Sequence, residues 1–98
     1  MYPKSSGYLT LVNIEDPEIE LTIKAAHFEY VDAYEDGDTD EDPSTIYRYQ
    51  YVNNDAEHLI DIRVDISIQN SIIYNVAFNF YDGEEFYDIE DNQLEFSL

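Results

Sequence analysis

Cysteine is absent from the 98 residues, so the chain has no disulfide frame, no thiolate zinc site and no thiol nucleophile. Its stability has to come from packing. Basic residues are scarce: four Lys and Arg stand against 23 Asp and Glu, a formal charge of -19 at pH 7. Phosphates repel such a surface, which argues against direct binding to DNA, RNA or an anionic membrane. No stretch approaches the ~18 apolar residues of a membrane span. Residues 1–7 lack the apolar core of a signal peptide, so the cytoplasm is the expected location. The three glycines, Gly7, Gly37 and Gly83, are isolated, and nothing forms a phosphate loop or a nucleophile elbow. His27 and His58 are the only histidines and stand in no metal-binding spacing, so ordinary surface or strand-edge positions are expected for both. A carboxylate pair for glycoside hydrolysis needs a cleft that a sheet of this size has little room for. No enzyme activity, cofactor or dedicated metal site is expected.

What is present is a core-forming set. Leu, Ile, Val and Phe make up 27 of 98 residues, above the roughly 20% expected of disordered chains. Ten tyrosines add buriable area. One folded domain over residues 1–98 is the expectation.

Period 2 dominates. Ile60, Ile62, Val64, Ile66 and Ile68 alternate with Asp61, Arg63, Asp65, Ser67 and Gln69, the pattern of a half-buried strand. Asn70-Ser71 is a turn. Ile72, Tyr74, Val76, Phe78 and Phe80 are then expected to point inward, completing a hairpin. Asp82-Gly83 closes a second turn, followed by short strands at Phe86–Ile89 and Leu94–Leu98. In the N-terminal half, Tyr8–Ile14 reads as a strand and Glu15-Asp16-Pro17 as a turn. Ile19, Leu21, Ile23 and Ala25 share a face before the phase shifts to Phe28 and Tyr30, which suggests a β-bulge near Ala25–His27. Thr45–Asn53 places Tyr47, Tyr49 and Tyr51 on one face, suited to burial or a dimer contact. As an edge strand it would pair with its symmetry mate and make a homodimer. The fold class is mainly β: an antiparallel meander of six to seven strands, as a bent sheet, small sandwich or barrel, with room for one short helix in 29–44.

The acids fall in two runs. Glu29, Asp32, Glu35, Asp36, Asp38, Asp40, Glu41 and Asp42 make eight in fourteen residues, and Asp82, Glu84, Glu85, Asp88, Glu90, Asp91 and Glu95 make seven in fourteen. Lys4, Lys24, Arg48 and Arg63 all lie outside both runs. Unless the fold brings these bases back, the runs repel themselves, and a cationic partner would relieve that cost. Aromatic residues are interleaved with the acids. Tyr34, Phe86 and Tyr87 are the candidate anchors, since aromatic rings supply contact area with little entropy to lose. Alternate carboxylates on a strand repeat at about 6–7 Å and offer Lys and Arg what a phosphate backbone offers.

With these two runs, the small, very acidic, cysteine-free chain resembles the DNA-mimic inhibitors of phages and mobile elements, among them anti-CRISPR proteins, restriction inhibitors and blockers of DNA-repair enzymes. The resemblance covers composition and the two acidic segments. It implies an inhibitor that occupies the nucleic-acid groove of a basic host protein such as a CRISPR effector, nuclease or repair enzyme, acting in the host cytoplasm. An immunity protein that neutralises a nuclease toxin has nearly the same surface physics. A cation-binding or salt-adapted β-domain is a third reading. Asp36, Asp38 and Asp40 match the first three ligand positions of an EF-hand loop, but Glu41 stands where Gly is needed and Tyr47 where a bidentate Glu is needed.

Overall fold

The computed structural model describes residues 3–37, 43–54 and 58–98. These residues form nine strands in three antiparallel sheets, with no α-helix among the described residues and no closed barrel. The strands are β1 (Lys4–Ser6), β2 (Tyr8–Asn13), β3 (Glu20–Lys24), β4 (Glu29–Asp36), β5 (Ser44–Asn53), β6 (Ile60–Gln69), β7 (Ile72–Asp82), β8 (Tyr87–Asn92) and β9 (Glu95–Ser97). One sheet has the order β4-β5-β6-β7, a meander; a second has β3-β2-β8; β1 and β9 make a two-stranded ribbon.

The β6–β7 hairpin follows from its pattern. Ile60, Ile62, Val64 and Ile66 are completely buried. Asn70 and Ser71 turn the chain with φ of 52° and 62°, the left-handed pair whose twist matches the flanking strands. Tyr47, Tyr49 and Tyr51 lie opposite Ile66, Val64 and Ile62, so the tyrosine stripe shares the core face and is half-buried there.

Around Ile60 and Ile62 the second sheet closes the core. Leu9, Leu11, Ile23 and Tyr87 pack onto them, with Leu21, Phe28, Phe80, Phe86 and Leu94 at the margin. Further along, the β1–β9 ribbon brings Phe96 to Phe78, ring centroids 6.4 Å apart. Asn13 is buried at the end of β2, where its Oδ1 accepts the backbone N–H groups of Glu15 (2.9 Å) and Asp16 (3.1 Å) and shapes the turn into β3.

Several expectations are corrected. Ile72 and Tyr74 do not face the core: they are 65% and 55% exposed. The β6–β7 register slips between Ser67 and Ile68, so Ile73 opposes Ile68 and Tyr74 is the extra residue of a bulge. Residues Ala25–His27 form a 3₁₀ turn, not a β-bulge, and hand the chain from one sheet to the other. Ile19 is exposed because it belongs to the turn before β3, where its N–H donates to the Asp16 carbonyl. Thr45–Asn53 is no edge: β5 is paired on both sides, by β4 and β6, so it has no free backbone groups to offer a symmetry mate. Residues 29–36 are strand, not helix. No helix among the described residues is long and apolar enough to cross a membrane.

Candidate interaction surface

The two acidic runs land on edge strands of different sheets. The first occupies β4, at the edge of the four-stranded sheet, and the second occupies the turn after β7, then β8, at the edge of the three-stranded sheet, and ends on β9. Asp38, Asp40, Glu41 and Asp42, and with them two of the three matching ligand positions of the EF-hand-like loop, lie outside the described residues. No group of three or more metal-binding side chains gathers among the described residues.

On β4, Glu29, Glu35 and Asp36 are exposed. Asp32 has a different fate, because the register places it opposite Arg48 of β5. Arg48 donates from Nε and Nη2 to the two carboxylate oxygens of Asp32, a bidentate pair. The hydrogen bonds from Arg48 hold the Asp32 carboxyl below the usual carboxylate range, and its charge adds to this against the desolvation. The same guanidinium lies 5.2 Å from the centre of the Tyr34 ring. Tyr34 is therefore exposed, as an anchor needs, but its ring is already engaged.

Arg63 is held more loosely, and its buried Nε has no hydrogen-bond partner among the described residues. It sits 3.8 Å over the Tyr81 ring and 3.7 Å from Asp61, whose Oδ1 also accepts a hydrogen bond of 3.1 Å from Gln50. The fold thus brings both arginines onto the open face of the four-stranded sheet and occupies both with acids and tyrosines from neighbouring strands.

In the second run, Glu84, Glu85, Asp88, Glu90 and Glu95 are exposed. Asp82 accepts the N–H of Gly83 at 3.0 Å, and Asp91 accepts from the Gln93 amide at 2.8 Å. Phe86 is half-buried, stacked on His58 with centroids 3.5 Å apart, and so is spent within the fold. Tyr87 is 2% exposed and part of the core, which removes it as an anchor. The phase after the Gly83 turn decides this: Tyr87 pairs with buried Asn13 and points inward, while Asp88 points out. His27 is exposed and structural, its Nδ1 accepting the Lys24 backbone N–H at 3.1 Å.

Glu20 is a member the sequence pattern missed. It pairs with Val12, as Asp88 does from the other side of β2, so acids of β3 and β8 share one face. Glu90 stands at the register shift of β8. A hydrogen bond to Glu20, the charge of Glu20, and then desolvation and Asp91 raise the Glu90 carboxyl above its ordinary 4.5. Only the three-stranded register joins Glu20 to the second run, and no local pattern carries that.

A group whose folded pKa is raised destabilises the fold while ionised, and stability returns as pH falls through that pKa. Asp32 works in the opposite sense. Its stabilisation is full above its unfolded value of 3.8 and is lost only as pH falls through its lowered folded value. Acidification from pH 7 to about pH 5 therefore raises the melting temperature, and Glu20→Gln raises it at pH 7 while flattening the profile. Thermal unfolding across pH checks this; a melting temperature falling steadily over that range contradicts it.

No protein-family model matches the chain, and neither a curated protein nor a solved structure matches it.

Proposed function

We propose that the chain is an acidic inhibitor that sets carboxylates where a nucleic acid sets phosphates, and so blocks a basic nucleic-acid-binding protein such as a CRISPR effector, nuclease or repair enzyme. One observation carries the reading. Glu20 of β3 and Asp88 of β8 flank Val12 from either side, and Asp91 of β8 follows opposite Thr10, so carboxylates of two strands gather on one face while both arginines are engaged elsewhere. Negative charge is gathered where it costs stability, and a row of Lys and Arg would recover that cost. Glu29, Glu35 and Asp36 on β4 supply a second set of exposed carboxylates. Tyr34 remains the aromatic contact, held in place by Arg48. Long-range attraction makes association fast and salt-sensitive.

The test uses the chain as bait in a host lysate, then measures whether a captured nucleic-acid-binding protein loses its DNA or RNA. The expected affinity falls about tenfold or more between about 50 and 200 mM salt. It also falls when Glu29, Glu35 and Asp36, or Asp88, Glu90 and Asp91, are changed to Gln and Asn. A complex indifferent to both changes removes the mimic reading.

A further inference from the structure

The outer edge of β7 is the exception on this molecule. Ten consecutive residues, 72–81, carry no charge in a chain of net charge -19. No strand among the described residues pairs with that edge. The other long or middle-sized edges carry charge: β4 has four acids, β8 has Asp88, Glu90 and Asp91, and β3 has Glu20 and Lys24. Charges of this kind block edge-to-edge pairing. Along β7, up to Asp82 at its end, the exposed side chains are instead uncharged: Ile72 at 65%, Tyr74 at 55% and Tyr81 at 61% exposure, with Asn75 and Asn79 exposed beside them.

We infer that β7 pairs antiparallel with β7 of a second copy of this chain, about a two-fold axis at Ala77, and joins two four-stranded sheets into one of eight strands. The sequence around Ala77 is self-complementary. Antiparallel pairing about that residue sets Val76 of each copy opposite Phe78 of the other, and Asn75 opposite Asn79. The faces agree, because Val76 and Phe78 both lie on the core face, opposite Ile66 and Val64, while Asn75 and Asn79 both lie on the open face, opposite Ser67 and Arg63. The centre brings together only two small methyl groups. The two amide side chains are exposed and can hydrogen-bond across the axis. Bulges at Tyr74 and Tyr81 bound the regular stretch 75–80 and fix its register. Charge permits a second copy at this edge and opposes it at the others: two chains so acidic meet along 72–81 without setting carboxylate against carboxylate.

This dimer differs from the inhibitor reading in the sign of its salt response. Salt screens the repulsion between two anionic copies, so self-association tightens as salt rises, whereas binding to a basic partner weakens. Sedimentation of the full chain is expected to show a dimer whose affinity rises about tenfold between about 50 and 500 mM NaCl. Ala77→Lys places its ammonium opposite Asp65 within its own chain but against its twin across the axis. It should weaken the dimer about tenfold or more. Mixing Ala77→Lys with Ala77→Glu restores a one-to-one dimer. Hydrogen exchange of the unsubstituted chain reads the same surface: amides within 75–80 lose protection on dilution. A monomer at about 100 μM in high salt, an Ala77→Lys dimer as tight as wild type, or protection indifferent to dilution each overturns the inference.

Discussion

Ile62→Ala is expected to remove about 3–4 kcal/mol of folding stability. Ile62 is completely buried and packs in the cluster of Leu9, Leu11, Ile23, Ile60 and Tyr87, where the four-stranded sheet meets β2, β3 and β8. Truncation there loses the transfer energy of three carbons and leaves a cavity bounded by two sheets. Neither sheet can collapse into it without breaking its own ladder. A domain of this size holds about 5–15 kcal/mol in total, and self-repulsion among the acids draws that down. The substituted chain should therefore unfold at little denaturant. The control is Ile14→Ala, an exposed isoleucine beyond the end of β2, expected to cost less than about 0.5 kcal/mol. Urea unfolding of both variants checks the pair of values. Equal costs would mean that the core does not lie at Ile62.

Gly7→Ala is expected to cost about 2–4 kcal/mol although Gly7 is exposed. Gly7 joins β1 to β2 with φ of 86°, a conformation that L side chains rarely adopt. An added Cβ would fall on the carbonyl oxygen of Gln93, inside any permissible contact distance. Neither segment can simply move aside. The Gly7 carbonyl accepts the Ala25 N–H at 3.0 Å, and the Gln93 N–H donates to the Tyr8 carbonyl at 2.8 Å. Relief must come from parting the β1–β9 ribbon, which also withdraws Phe96 from Phe78. Denaturant unfolding measures the cost, and amide exchange at Lys4–Ser6 reports whether the ribbon has opened. A stable variant with a protected ribbon contradicts the argument.

Much of this fold is legible in short windows, because strand pattern and turn chemistry are local. Ile60 to Ile66 alternate and are buried; Asn70-Ser71 and Asp82-Gly83 turn where their residue types allow it. Several misread positions depend on context that a short window lacks: which strand lies alongside, or the phase in which a turn delivers the chain. Alternation in Thr45–Asn53 reads the same for an inner strand as for an edge. Only pairing with both β4 and β6 removes it as a dimer surface. Phe86 and Tyr87 look like anchors among acids until the Gly83 turn sets the phase and sends Tyr87 into the core. Ile72 and Tyr74 look inward until a bulge shifts the register.

The acidic surface divides along the same line. The sequence by itself determined the charge of -19, the absence of thiol chemistry and the two acidic runs, since residue totals and residue order are left unchanged by folding. Tertiary pairing decided which charges remain available. Arg48 reaches Asp32 only because β4 and β5 run antiparallel in one register, and Glu20 reaches Glu90 only because β2 lies between their strands. Coulomb energy and hydrogen bonds act over a few ångströms, and such distances between residues remote in sequence do not exist until the sheets have formed.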